Sequence, residues 1–156
     1  MNVTIRVTGS QRLLAHLGDV AGRSRAFGVG MDLATAIIQG GVITDTPVGV
    51  TSILRGSWQA DTLGAWPLIL GVVGSPLAYS EVIERGRHAG SQMPPPDALA
   101  SWVATKLGPD VSPFVVARSI GRKGITGKQM LRHAIDERRP AWLGVIRASV
   151  RRMTGG

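Results

Sequence analysis

The sequence predicts an α+β fold, in which an N-terminal strand and a long helix precede a central antiparallel β-hairpin sheet packed on helices, followed by a helical C-terminal third. Three observations lead to this class. A period of two marks the strands, a period of 3.6 marks the helices, and strands and helices do not alternate as a parallel sheet would require. The 156 residues fit one domain, and a mean hydropathy of +0.14 is typical of a folded chain.

The first elements are a strand and two helices. Apolar and polar residues alternate over residues 2–7, which predicts a half-buried strand. A short helix is predicted over residues 10–17, with Gly18 ending it. An apolar stripe at helical spacing then predicts a longer helix over residues 24–39, which Gly40 and its neighbouring glycine would close.

A β-hairpin is predicted in the middle of the chain. The stretch from residue 44 to residue 55 is rich in Thr, Pro and Gly and indicates a loop. Strands follow over residues 57–62 and 66–73, with a turn at 63–65. A short helical turn after Ser75 leads into residues 85–96, a polar extended stretch that ends in three prolines.

The last third is predicted to be helical. Asp97 is expected to cap one helix, and Ser112 to cap the next, which has proline at its first position. Thr126 and Gln129 have the spacing of a capping box before a third helix, which Pro140 ends. We therefore predict a single α+β domain over residues 1–139 and a basic amphipathic helix over residues 140–156.

Net charge is concentrated at the C-terminus. Residues 1–110 hold eight basic and eight acidic groups, whereas residues 111–156 hold ten basic and two acidic groups, a net of 10 − 2 = +8. Such a surface favours an anionic partner: DNA or an acidic protein subunit, while a membrane surface is a weaker alternative. The candidate interface residues are Arg118, Arg122, Lys123, Lys128, Arg132, Arg147, Arg151 and Arg152.

No pattern of residues predicts catalysis, a metal site or a bound cofactor. The three histidines are far apart, and the chain has no cysteine, so thiolate sites are excluded. Glu81 and Glu84 lack a neighbouring nucleophile and are expected to form salt bridges or a helix face. The glycine-rich segment 121–128 has Arg122 where a phosphate-binding loop needs its first glycine, and Gln129 follows the lysine.

Three segments, in order, resemble a known family. They are residues 46–58 (TPVGVTSILRGSW), 73–86 (VGSPLAYSEVIERG) and 114–128 (FVVARSIGRKGITGK). Their sequence and order resemble the neck proteins of long-tailed bacteriophages, a family of head–tail joining, tail completion and putative tail-component proteins. A free-standing nucleic-acid-binding protein remains the alternative.

The resemblance implies a small virion protein of the neck or tail, without catalysis or cofactor. It implies assembly in the host cytoplasm as a cyclic homo-oligomer, a hexamer or dodecamer, between the head connector and the tail proteins. DNA would pass through the lumen of such a ring, and no membrane would be involved.

Overall fold

The computed structural model describes residues 10–65 and 68–154. It confirms the α+β class; the predicted strand at residues 2–7 lies outside the described residues. In chain order the elements are α1 (Ser10–Asp45), α2 (Ile53–Gly56), β1 (Gln59–Ala65), β2 (Leu68–Gly74), α3 (Ser80–Arg85), β3 (Gly86–Arg87), α4 (Pro96–Lys106), α5 (Pro113–Lys123), β4 (Ile125–Thr126), α6 (Met130–Glu137) and α7 (Arg139–Thr154).

Helix α1 is continuous. The prediction that one helix ends at Gly18 and that a second helix ends at Gly40 is therefore wrong. The 36 residues of α1 span about 54 Å. The helix packs against α6, α7 and both strands of the hairpin. Glycine costs about 1 kcal/mol inside a helix, and tertiary packing on several sides outweighs that cost here.

Helices α1 and α7 approach closely at Gly30. A Cβ atom built on Gly30 would lie 1.7 Å from Ser149 Oγ and 2.5 Å from Ser149 Cβ. Ser149 is 2% exposed, and its hydroxyl donates to the Val145 carbonyl within α7. Its neighbour Val150 is 37% exposed, so Ser149 takes the buried position on α7.

The predicted hairpin is confirmed, with each strand beginning two residues later than expected. Strands β1 and β2 pair antiparallel with Leu63 opposite Leu70, and the predicted turn residues 63–65 belong to β1. One face of the hairpin packs on α1. Gly71 makes this approach possible, because a Cβ atom there would lie 2.4 Å from Thr35 Cγ2 and 3.0 Å from Met31 Sδ.

The hydrophobic core lies between the C-terminal half of α1, the segment that includes α2, and α6. Its buried residues are Val42, Leu54, Trp58, Met130 and Ala134. Trp58 Nε1 donates to Thr46 Oγ1 at 2.8 Å, and Thr46 Oγ1 donates to the Val42 carbonyl at 2.5 Å. Leu54 and Trp58 are thus part of the buried core, whereas Tyr79 is 46% exposed.

Helix α6 is capped by a residue from a distant element. The predicted capping box is wrong, because Gln129 adopts a left-handed conformation and makes no side-chain cap. Instead Glu84 of α3 accepts hydrogen bonds from the backbone N–H groups of Leu131 (3.0 Å) and Arg132 (3.3 Å). Its carboxylate satisfies donors at the positive end of the helix.

Helices α4 and α5 form a pair that is joined to the rest by the short ladder of β3 and β4. Helix α5 begins at Pro113 after Ser112, as predicted, although Ser112 makes no side-chain cap. Helix α4 begins at Pro96, so Asp97 lies in its first turn and does not cap it. Val103 of α4 and Ala117 of α5 are fully buried in this pair.

Candidate subunit and nucleic-acid interface

The eight predicted basic residues are all exposed and lie on three separate parts of the chain. Arg118, Arg122 and Lys123 belong to α5. Lys128 precedes α6, and Arg132 lies on it. The remaining three, Arg147, Arg151 and Arg152, lie on α7, which packs on α1.

The α5 group lines a shallow open groove together with two apolar side chains, Phe114 and Val115. Phe114 is 51% exposed and Val115 is 61% exposed. We call this surface, formed by Phe114, Val115, Arg118, Arg122 and Lys123, the α5 groove. It combines cations with an exposed aromatic ring, as surfaces that bind single-stranded nucleic acid often do.

Phe114 and Val115 were not predicted from the sequence to be surface residues. The signal for Phe114 was present, since Phe114, Arg118 and Arg122 are spaced at i, i+4 and i+8 and therefore share a helix face.

The group near α6 is partly neutralised. Arg132 lines a second open groove with Glu84 and Arg85. Its guanidinium lies 3.9 Å from Asp136, and Arg85 forms a 2.9 Å ion pair with Glu81. The side chains of both ion pairs are well exposed, so each pair contributes little to the free energy of unfolding. The mixture of signs makes this groove a poorer site for a polyanion than the α5 groove.

The α7 group lies on a helix whose other side is committed to packing. Trp142 Nε1 donates to the Ile135 carbonyl at 3.0 Å, which fixes the start of α7 against α6. Nearby, Arg138 pairs with Asp45 at 3.3 Å and with Glu137 at 3.5 Å. Arg138 is thereby a structural cation between α1 and the C-terminal helices, and it is not part of the candidate interface.

The glycine-rich segment 121–128 serves backbone packing. Gly124 has φ +75°, and a Cβ atom there would lie 2.3 Å from the Arg87 carbonyl oxygen. Gly86 has φ +81°, and a Cβ atom built on it would likewise lie 2.3 Å from the Ile125 carbonyl oxygen. These glycines allow β3 and β4 to pair, and Lys128 N–H then donates to the Ile83 carbonyl at 2.7 Å.

Within the part of the chain that the structure describes, no group of three His, Asp or Glu side chains could hold a metal ion. His88 and His133 are exposed, and the side chain of His16 is not described. Both carboxylate oxygens of Glu84 accept backbone hydrogen bonds, and Glu81 pairs with Arg85. The two glutamates therefore have structural partners: the ion pair of Glu81 was expected from the sequence, whereas the cap of α6 by Glu84 was not.

Among the residues that the structure describes, two apolar surfaces have no other element packed on them. The outer face of the hairpin exposes Leu63, Leu68, Leu70 and Val72 by 48%, 66%, 52% and 45% respectively. We call these four residues the hairpin face. On α1, Val29 and Leu33 are 51% and 52% exposed, and Ala36 and Gly40 are exposed beside them. We call this second set the α1 stripe.

Part of α1, Gly18–Asp45, is long and apolar enough to cross a membrane by length and composition alone. The packing of this helix favours a protein environment, because Gln39 Nε2 donates to the Trp58 carbonyl at 2.8 Å and Asp45 pairs with Arg138. Helix α7, with exposed arginines, lies along the same segment.

Two of the three family-like segments pack around the core, and the third is joined to the second by a short strand ladder. Residues 46–58 fold over the end of α1, where Arg55 Nε donates to the Ile43 carbonyl at 2.9 Å. The second and third segments pair through β3 and β4. Leu77 and Ile83 of the second segment pack against the core cluster. Comparison with protein-family models, curated proteins and solved structures gave no match to this chain.

Proposed function

We propose that this protein is a non-catalytic structural subunit of a bacteriophage neck. It forms a ring between the head connector and the tail, and DNA passes through the ring. The observation that carries the proposal is the pair of uncovered apolar surfaces, the hairpin face and the α1 stripe, on a chain with a small core. Contiguous apolar patches of this kind mark protein–protein contacts.

The family-like segments support the same function. Each of them contributes to the packing around Trp58 or to the β3–β4 ladder, so they define a scaffold and not a reactive centre. Function in such a protein lies on its surfaces. The basic groups of α5 and α7 would then face either the DNA in the lumen or an acidic neighbouring protein.

Electron microscopy of particles from a host in which the gene is deleted tests this proposal. We expect DNA-filled heads beside separate, finished tails, because both halves of the virion assemble independently of a joining ring. A plasmid copy of the wild-type gene should restore whole particles. Complete particles in normal yield from the deletion strain would contradict the neck assignment.

A second candidate function is binding of nucleic acid as a free-standing protein, which the α5 groove favours. Neutralising each phosphate lowers the logarithm of affinity by about 0.9 per tenfold rise in salt for duplex DNA. Arg118→Glu with Arg122→Glu should then reduce the salt slope by about 2, measured by fluorescence anisotropy. Arg147→Glu with Arg152→Glu is the matched control, with the same change in net charge.

An equal loss of DNA affinity in both double variants would indicate a general effect of net charge and exclude a specific role for the α5 groove. A loss confined to the α5 variant, together with normal particles from the deletion strain, would favour the nucleic-acid-binding function over the neck function.

A further inference from the structure

We infer that copies of this chain associate head to tail, with the α1 stripe of one copy packed on the hairpin face of the next. The inference deepens the self-association that the proposed function requires, and it rests on that function. It adds which surfaces meet, and that the contact joins two different surfaces.

The two surfaces point in opposite directions. Successive residues of an α-helix are rotated by about 100°, so Met31 and Thr35 lie about 160° from Leu33 around α1. Met31 and Thr35 are the side chains that approach Gly71 on the inner face of the hairpin. The α1 stripe therefore faces directly away from the hairpin, and the hairpin face is directed away from α1.

This geometry disfavours a two-fold dimer. A dimer that paired two hairpin faces would leave both α1 stripes in water, and a dimer through the stripes would leave both hairpin faces exposed. A contact between unlike surfaces covers both kinds in every copy, and it produces a ring when the rotation closes.

The chemistry of the surfaces also fits a helix on a sheet. Inside one copy, α1 already covers the inner face of the hairpin. The α1 stripe of the next copy would cover the outer face in the same manner, so the hairpin would lie between two helices. Ala36 and Gly40 leave room along the stripe for the large side chains of Leu68 and Leu70, and a two-stranded sheet gains stability from such cover.

Both surfaces carry large side chains that are half exposed or more. Leu68 and Leu70 of the hairpin face are 66% and 52% exposed, and Val29 and Leu33 of the α1 stripe are 51% and 52% exposed. A contact between neighbouring copies would remove these side chains from water, and a standard contact buries about 800 Å² on each partner.

Charge substitution on each surface tests the arrangement. The hairpin variant carries Leu68→Glu and Leu70→Glu, and the stripe variant carries Val29→Glu and Leu33→Glu. We expect each to be a folded monomer by analytical ultracentrifugation and circular dichroism. Leu107→Glu is the matched control, since Leu107 is 48% exposed on another element, and it should assemble like the wild type.

Mixing the two variants distinguishes the two kinds of contact. In a head-to-tail arrangement the intact stripe of the hairpin variant still binds the intact hairpin face of the stripe variant. An equimolar mixture should therefore form a heterodimer and nothing larger. A mixture that remains monomeric would overturn the inference, as would a monomeric wild type or a variant that assembles normally.

Cysteine cross-linking gives a test that leaves both surfaces apolar, because the chain contains no cysteine. Under mild oxidation, Leu33→Cys with Leu70→Cys should form a ladder of covalent multimers, while each single variant stays uncross-linked. A covalent dimer of Leu70→Cys alone would indicate a two-fold contact and overturn the inference.

Flotation with phosphatidylglycerol vesicles separates a membrane role from the proposed contact. If the wild-type protein floats with the vesicles and is monomeric without them, the α1 stripe binds lipid and the inference is overturned. Head-to-tail assembly in solution together with complete virions from the deletion strain would retain the interface and exclude the neck function.

Discussion

At the scale of single residues, Trp58 connects the start of the hairpin to the end of α1. Its indole N–H donates to Thr46, its carbonyl accepts from Gln39, and its ring is 5% exposed in the core. A buried polar chain of this kind stabilises only when each member has a partner. Thr46 therefore matters as an acceptor as well as a donor.

Thr46→Val tests this role. The substitution keeps the shape of the side chain but leaves the buried indole N–H of Trp58 without an acceptor, so we expect the free energy of unfolding to fall by about 1–3 kcal/mol. Chemical denaturation at a fixed subunit concentration measures the change. Thr44→Val removes an exposed hydroxyl from α1 and should change stability by less than about 0.5 kcal/mol. Equal effects of the two substitutions would contradict the assigned role.

Gly30→Ala should be destabilising although alanine is the better helix former. The added methyl group meets Ser149 Cβ, which rotation of the side chain cannot move away, and overpacking of this kind costs about 1–3 kcal/mol. Gly28→Ala is the matched control, since nothing lies within 4 Å of a Cβ atom there, and it should gain about 0.5–1 kcal/mol. Thermal melts of the pair decide between these outcomes; a stabilised Gly30→Ala chain would refute the close crossing of α1 and α7.

At the scale of elements, the cap of α6 by Glu84 couples two helices that lie far apart in sequence. Lys128 and Gln129 add backbone hydrogen bonds to the carbonyls of Ile83 and Glu84. The end of α3 and the start of α6 therefore form one rigid junction, from which the β3–β4 ladder continues to the α4–α5 pair.

Glu84→Ala should lower the free energy of unfolding by about 1–2 kcal/mol, because two N–H groups at the start of α6 lose their acceptor. Glu81→Ala, three residues earlier on the same helix, removes only an exposed ion pair and should cost less than about 1 kcal/mol. Urea denaturation compares the two. If both substitutions have the same small effect, the carboxylate of Glu84 does not act as the cap.

The elements that could be predicted from the sequence are those with local signals. Alternation of side chains located the hairpin, and a proline at the first position located the start of α5. Helix α1 was wrongly predicted as two helices. The low helix propensity of Gly18 and Gly40 can be seen in the local sequence, whereas the packing against α6, α7 and the hairpin that compensates for it cannot. The cap by Glu84 depends on contacts across 47 and 48 residues, which no short-range pattern contains.

The candidate interface could likewise be predicted only where its signal is local in sequence. Exposed arginines follow from composition and helical spacing, and all eight predicted basic residues are at the surface. Their division among α5, α6 and α7 depends on how the helices pack. The hairpin face was visible as an alternation of apolar residues, but a single sequence does not reveal which face of a hairpin α1 will cover.

At the scale of the whole molecule, the balance between core and surface is unusual for a monomer. Eight apolar residues are buried among those the structure describes, whereas Leu68, Leu70 and Leu33 lie at the surface beside other apolar side chains. Such a chain gains stability from its neighbours as well as from its own core, so assembly and folding are linked.

The melting temperature of the wild-type protein should therefore rise with protein concentration, by about 3–5 °C for each tenfold increase. Differential scanning calorimetry over a hundredfold range of concentration measures the trend. The Leu68→Glu and Leu70→Glu double variant should melt at a lower temperature that does not depend on concentration. A concentration-independent wild type would contradict linkage between folding and assembly.

The contact between α1 and α7 also has a consequence for synthesis of the chain. Helix α1 leaves the ribosome first, and α7 follows roughly 100 residues later, which at about 5–20 residues per second is a delay of roughly 5–20 s. During that interval the surface around Gly30 lacks α7, its partner in the folded chain, and the hairpin is the first element able to cover the neighbouring side of the helix around Met31. Co-translational folding of this protein thus begins with a helix whose apolar surface is exposed to water. Slow release of the chain from the ribosome, or early binding of a chaperone to α1, would favour correct folding.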